Sequence, residues 1–205
     1  MPVVTCLDME GVLTPEIWIN VARKTGIGKL NLTTRDISDY DELMTMRLEI
    51  LEENGLKLAD IQDVIAGLDL LDGAGEFLDS LRRRCQVIVL SDTFYEFADP
   101  LIEKLNRPIL FCNSLTVDSG GRITDYRLRQ QDGKRKAIQA LHGLNFKVIA
   151  VGDSYNDTSM LAEAEAGILF RPPQKVVDEF PQFPVTESYA QLRAEIDSAL
   201  EWIES

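Results

Sequence analysis

Histidine and cysteine are scarce in this chain of 205 residues: one histidine, His142, and three cysteines, Cys6, Cys85 and Cys112. An odd cysteine count without CxxC spacing supplies no disulfide framework and fits a reducing, cytoplasmic setting. Cys6 and Cys112 lie in apolar runs, where a cysteine acts as a small buried hydrophobe. A lone histidine argues against a His-rich zinc site and against Ser-His hydrolase machinery. Acid–base chemistry then falls to carboxylates or a lysine. Positive charge is also short, with 21 Lys and Arg against 34 Asp and Glu, a formal charge of −13. Such a surface repels nucleic-acid backbones and acidic lipid headgroups, so neither partner is expected. A small anionic substrate is still compatible, because a metal ion or an arginine can reverse the field inside a pocket. No apolar run approaches ~20 residues, and the start MPVVTCLDMEG lacks a basic stretch followed by an apolar one, so neither a membrane span nor a secretion signal is expected.

What is present describes a folded chain. Apolar residues make up 45 % and charged residues 27 %, with 13 Gly and 8 Pro, which argues against disorder and low complexity. The length suits one large domain, or one domain with an insertion.

Apolar runs of strand type occupy 3–7 (VVTCL), 87–90 (VIVL), 109–112 (ILFC), 147–151 (KVIAV) and 167–170 (GILF). They are continuous rather than alternating, as a sheet covered on both faces requires. Helical patterns lie between most of them, over 74–84, 94–105 (after Thr93), 134–143 and 156–165. This alternation predicts an α/β fold with a doubly wound, mostly parallel, Rossmann-like sheet. Ser119-Gly120-Gly121, within 114–129, predicts a hairpin. Four prolines predict a loop-rich passage over 171–186, after which Ser188 caps a last helix to about 203.

The first strand is separated from the second by a long helical segment. Thr14-Pro15-Glu16 reads as a helix start, with a hydroxyl cap, Pro at the first position and an acid in the first turn. Ile17, Trp18, Val21 and Ala22 give that helix one apolar face before Gly26. Further helices are predicted over 39–53, with Ser38 as cap, and over 58–67. Residues 14–70 therefore read as a small helical cap domain inserted after strand one, leaving 1–13 and 71–205 as the core domain. Simple packing of these helices on the sheet is the alternative.

Carboxylates follow the strands. The first runs into Leu7-Asp8-Met9-Glu10-Gly11-Val12, and the run over 147–151 into Gly152-Asp153-Ser154-Tyr155-Asn156-Asp157. In a parallel sheet both ends lie on one edge, so Asp8 and Asp153 meet if their strands are neighbours. Two close carboxylates repel, and Mg²⁺ relieves that by accepting hard oxygen ligands. Taken singly, each acid could be a helix cap or an Asx turn. Together with Ser91-Asp92-Thr93 and Lys134, they suggest phosphoryl chemistry. Asp8 can attack phosphorus, and Glu10 can protonate the leaving alcohol. Ser91 and helix-start N–H groups can hold phosphoryl oxygens, with Lys134 supplying a compact positive charge. Asp153 would hold the metal, with Asn156 and Asp157 orienting the metal, its waters or the substrate.

The four segments D-M-E-G-V, S-D-T, Lys134 and G-D-S-Y-N-D resemble, in order and spacing, the motifs of the haloacid-dehalogenase-like phosphohydrolases. Within that superfamily the chain resembles phosphoserine phosphatases, and most closely a bifunctional phosphoserine phosphatase and homoserine phosphotransferase subgroup. The resemblance implies a helical cap after strand one, Mg²⁺ dependence, a phospho-amino-acid substrate, homoserine as an acceptor and a homodimer. It also implies Asp8 as nucleophile, Glu10 as acid–base residue and backbone-carbonyl metal ligand, and Asp153 as metal aspartate. Ser91, Asp92, Lys134 and Asn156 become substrate contacts, and Asp157 a supporting residue. Most members have Asp at the position of Glu10. The added methylene changes reach far more than proton affinity, and could alter how water competes with an alcohol acceptor.

On the second predicted helix Arg47 falls inside the apolar arc of Leu43, Met44, Leu48 and Leu51. An arginine there must snorkel out or meet an anion, either an internal acid or a substrate carboxylate. The resemblance favours the substrate carboxylate, with Glu16 receiving the ammonium, although Glu16 sits one residue nearer the nucleophile than is typical. An amino-acid O-phosphate is therefore expected over a sugar phosphate or nucleotide. Trp18 and Met44 read first as core residues.

Overall fold

The structure, a computed structural model, describes all residues except Thr34, Arg35 and Ser38. Its described strands are β1 (Val3–Asp8), β2 (Gln86–Phe94), β3 (Ile109–Val117), β4 (Ile123–Arg127), β5 (Lys147–Gly152), β6 (Ala166–Phe170) and β7 (Val185–Thr186). They form one sheet in the order β4-β3-β2-β1-β5-β6-β7, parallel throughout except where β4 returns beside β3. The helices are α1 (Ile17–Thr25), α2 (Tyr40–Glu53), α3 (Leu58–Ala66), α4 (Ala74–Arg82), α5 (Tyr95–Lys104), α6 (Gly133–Gly143), α7 (Thr158–Glu163), α8 (Gln174–Glu179) and α9 (Tyr189–Glu204). Among the described residues no helix is long and apolar enough to cross a membrane.

The strands are apolar on both sides because each side meets its own helices. Val3 and Leu7 join Val89, Ile149, Phe170 and residues of α4, α5 and α9 in one apolar cluster. Val4 and Cys6 point the other way, to Ile88, Val148, Ala150 and residues of α6 and α7. Period-2 alternation thus feeds two cores. The first core continues into the helices after β1, through Ile17, Val21, Leu30, Met44 and Ile61. The insertion is helical, as expected, and shares the apolar core of one sheet face.

Several local expectations change. Helix α1 starts at Ile17 with Glu16 as its N-cap residue. Thr14 does not cap it: its hydroxyl bonds the Met9 carbonyl at 3.3 Å. The expected capping residue Ser38 lies outside the described residues, and Asp39 caps α2 by accepting from the N–H groups of Asp41 and Glu42. Strand β2 extends through Ser91, Asp92 and Thr93, with a register irregularity between Leu90 and Phe94, so α5 begins only at Tyr95. Ser91 is therefore a strand-end residue, not a helix-start one. The expected short strand over 109–112 continues to Val117 and forms the outer hairpin with β4. The proline-rich passage holds α8 and β7, because Pro173 and Pro184 precede elements where a missing N–H is tolerated. Ser188 does cap α9, accepting from the N–H of Gln191.

Candidate active site

Strand order places the acids. β1 lies between β2 and β5, with Asp8 opposite Leu90 and Leu7 opposite Val151. Chain direction across the sheet reverses at β1, which opens a crevice at the carboxyl ends of the strands. Ser91, Asp92 and Asp153 follow the paired residues, so they converge with Asp8 on one rim.

The turn after β1 is closed on one carbonyl: Met9 O accepts the N–H groups of Leu13 (2.8 Å) and Thr14 (2.9 Å). Gly11 takes φ +80° there, and a Cβ on it would stand 2.5 Å from Asp153 Cγ. Glycine is required both for the left-handed backbone and for the approach of the acid. The turn also aims Glu10 back at α1, where its Oε2 accepts the Ile17 N–H at 2.8 Å. A carboxylate from the preceding loop thus performs the capping that Thr14 does not.

Lys134, in the first turn of α6, is 4 % exposed and joins three acids. Its Nζ lies 2.9 Å from Asp8 Oδ1, 2.7 Å from Asp157 Oδ1 and 3.5 Å from Asp92 Oδ2. Asp157 is fully buried, and its Oδ2 accepts the N–H groups of Asp153 (3.0 Å) and Ser154 (3.1 Å). Asp157 therefore ties the loop after β5 to Lys134. A Cβ on Gly152 would fall 2.3 Å from Asp157 Cβ, so this tie also depends on a glycine. Asp92 is held from two sides, by Asn156 Nδ2 on its Oδ2 at 2.7 Å and by Asn113 Nδ2 on its carbonyl at 3.0 Å. Ser91 is buried, with its Oγ accepting the Thr93 N–H at 3.2 Å.

Donor atoms of Asp8, Asp153 and Asp157 all lie within 4.8 Å of one another. Both Asp157 oxygens are engaged by Lys134 and the loop amides. A buried set of carboxylate oxygens with no histidine or thiolate suits Mg²⁺. The electrostatics show the same need for positive charge. Burial, reinforced by Asp157 and Asp153 and opposed by Lys134, holds the Asp8 carboxyl well above its usual range. Burial and the neighbouring Glu16 charge push Glu10 up to about 8, against the opposing bond from Ile17. For Lys134, burial favours the neutral amine, but Asp157, Asp8 and Asp92 outweigh it and raise the group well above its ordinary value.

These acids open into a cavity of about 810 Å³. Asp8, Glu10, Ser91, Asp92, Lys134, Asp153 and Asn156 line its sheet side, and Glu16, Trp18, Tyr40 and Arg47 its helical side. All the expected site residues meet there except Asp157, which lies beneath the wall. Arg47 is 6 % exposed, and among the described residues no acid lies within ion-pair distance of it, although the Glu10 and Glu16 charges act on it from farther away. Its Nη2 donates to the Leu32 carbonyl at 2.8 Å, and burial lowers its pKa to about 10. Asn113, Tyr40 and Arg129 also line the cavity. Asn113 had a readable signal, a polar residue ending an apolar run, whereas Tyr40 and Arg129 had none. Cys6 and Cys112 are buried free thiols, as expected, although Cys112 also borders the cavity. His142 sits apart from this site, 3.0 Å from Glu165.

Residues 5–165 match the family model of haloacid dehalogenase-like hydrolases. The "Phosphoserine phosphatase ThrH" of Pseudomonas aeruginosa is 58 % identical over 192 residues, covering 94 % of each chain. A "Phosphoserine phosphatase" of Pseudomonas syringae pv. tomato is 56 % identical over 196 residues, 96 % of this chain and 83 % of that one. Among solved structures, a phosphoserine phosphatase in apo form superposes with a TM-score of 0.77 at 22 % identity, covering 96 % of this chain and 98 % of that one. A substrate-bound phosphoserine phosphatase gives 0.75 at 20 %, covering 97 % and 98 %. With the carboxylate cluster, the sheet order and these relatives in agreement, the chain belongs to the haloacid dehalogenase-like hydrolases, within the phosphoserine phosphatase family.

Proposed function

We propose that this protein is a Mg²⁺-dependent phosphatase of O-phospho-L-serine that works through an aspartyl-phosphate and can pass the phosphoryl group to homoserine. The observation that carries this reading is the two-sided cavity: phosphoryl chemistry on the sheet rim faces Glu16 and Arg47 on the helical wall. That opposed pair matches the ammonium and carboxylate of an amino acid, which a sugar phosphate or nucleotide lacks. The 58 % identical relative named as a phosphoserine phosphatase supports the same substrate.

Both Lys134 and the Met9 N–H bond Asp8 Oδ1, which makes Oδ2 the attacking oxygen. Oδ2 forms a bond to phosphorus as the ester oxygen departs with a proton from Glu10. Raised to about 8, Glu10 holds that proton at neutral pH. Glu10 then takes a proton from water or from an acceptor hydroxyl, which attacks phosphorus and releases Asp8. Ser91 and Lys134 bind the phosphoryl oxygens through both steps, Asp92 and Asn156 border them, and Asp157 keeps Lys134 in place. Asp8, Asp153 and the Glu10 carbonyl would hold Mg²⁺, which supplies positive charge to the phosphoryl group. Residues 14–70 serve as the cap over 1–13 and 71–205. A cytoplasmic homodimer completes the reading; three free cysteines suit the compartment, and light scattering reads the assembly.

The test is a panel of phosphoserine, phosphothreonine, a sugar phosphate, a nucleotide and an aryl phosphate, with Mg²⁺ or chelator, each with and without homoserine. Phosphoserine turnover should require Mg²⁺ and vanish in Asp8→Asn. Arg47→Ala should lose far more on phosphoserine than on the aryl phosphate. Equal rates across the panel would refute the amino-acid reading, and absence of phosphohomoserine would remove the transferase half.

A further inference from the structure

The Arg47 guanidinium is buried without the usual partners. Among the described residues its Nε has no hydrogen-bond partner, and Nη1 has only the Met44 sulfur at 3.7 Å. One proper bond, from Nη2 to the Leu32 carbonyl, does not hold a planar fork in a single orientation. The remaining support is an aromatic face: Arg47 Cζ lies 4.5 Å from the centroid of the Trp18 ring. Trp18 is itself fixed from behind. Its ring meets Phe97, a fully buried residue of α5, edge-on at 5.5 Å and 73°. Phe97 in turn packs edge-on against Phe94 at the end of β2, three residues after Ser91.

We infer that Trp18 is a positioning residue that orients the Arg47 fork toward the substrate carboxylate through its ring face. Trp18 lies on α1 and Arg47 on α2, so this contact joins two helices of the insertion. The Trp18–Phe97–Phe94 chain relates both to the strand that carries Ser91. An arginine stacked on indole keeps its in-plane N–H groups available, because the ring occupies only the face of the guanidinium. The unpartnered Nε edge is then a donor edge that a carboxylate can complete. This inference rests on the amino-acid reading above and adds a residue to it.

The experiment compares Trp18→Leu, Trp18→Phe, Arg47→Ala and the Trp18→Leu/Arg47→Ala double variant, each with Mg²⁺, on phosphoserine and an aryl phosphate. Desolvated arginine–indole stacking predicts that Trp18→Leu raises KM for phosphoserine by about tenfold, with kcat changing much less. The loss on phosphoserine should exceed the loss on the aryl phosphate at least severalfold. Trp18→Phe retains a ring against Phe97 and should fall between Trp18→Leu and the parent. In the Arg47→Ala background Trp18→Leu should add little further loss, since the group it orients is gone. Should Trp18→Leu lower both substrates equally, or leave phosphoserine KM unchanged while Arg47→Ala stays selective, Trp18 is only packing and the amino-acid reading survives. If Arg47→Ala shows no selectivity, both ideas fail. If Trp18→Leu does not fold, Trp18→Phe and the cycle built on it decide the matter by the same split.

Discussion

Lys134→Met removes the one positive charge that, among the described residues, directly contacts Asp8 and Asp157, and replaces it with an apolar chain of similar length. The lysine side chain is 4 % exposed and those of its two partners 6 % and 0 %, so water cannot take over its role. Removing one member of a buried ion pair costs about 3–5 kcal/mol, because the remaining carboxylate must either stay buried and unpaired or take up a proton. At about 2–4 °C per kcal/mol for a chain of this size, Tm should drop by roughly 6–20 °C in chelator at pH 7. The pH dependence has a definite sign. Asp8 is already raised in the folded protein, and losing Lys134 raises it further, so the folded variant holds a proton that the unfolded chain releases. Stability contributed by such a group is present below its unfolded pKa and lost as pH rises through the folded one. The deficit relative to the parent should therefore shrink toward pH 5 and widen toward pH 8. Mg²⁺ should narrow it by supplying positive charge to Asp8 and Asp153. Turnover should fall about 10²–10³-fold through loss of one transition-state contact. Thermal melts across pH with chelator or Mg²⁺ provide the readout. A Tm in chelator equal to the parent's at pH 7 would refute the assignment of Lys134 as the neutralising charge.

Glu10, raised to about 8 from 4.5, contributes stability to the metal-free protein that is complete below about 4.5 and lost as pH rises through about 8. Glu10→Gln should flatten that part of the stability curve, and an unchanged curve would contradict the assignment. Glu10→Asp should shift the ratio of homoserine transfer to hydrolysis, read from product analysis, because only reach changes. Gly11→Ala pairs φ +80° with a Cβ 2.5 Å from Asp153 Cγ, so it should cost about 1–2 kcal/mol from the backbone alone and also displace a metal donor. The Mg²⁺ concentration for half-maximal rate should rise, and an unaltered Mg²⁺ dependence would show that the loop gives way elsewhere.

Much of this molecule was legible as a string of residues. Continuous apolar runs require a sheet covered on both faces, since burial of a strand needs no partner named in advance. Asp8, Ser91 and Asp153 stood out because acids and a hydroxyl directly after such runs land on one rim whenever the strands are parallel, and Lys134 because it begins a helix and completes the set of groups that phosphoryl chemistry needs. Arg47 was marked by its place inside an apolar arc, where a charge needs a reason. Local capping was less legible. Thr14 has the right chemistry for a cap, yet the turn closed on Met9 O takes its hydroxyl, and Glu10 reaches Ile17 instead. Where β2 gives way to α5 depends on a register irregularity against β3, a pairing that is remote in the chain.

Other features belong to the tertiary structure alone. That β1 sits between β2 and β5, bringing together acids far apart in the chain, follows from helix packing on both faces rather than from either strand. The stacking of Trp18 on Arg47, and the hold of Asn113 on Asp92, join residues from different elements whose spacing in sequence carries no trace of the contact. Residue type and periodicity determine which groups seek burial or charge compensation. Which partner satisfies each is decided only when the elements pack, because those contacts form across the chain and compete for the same limited space.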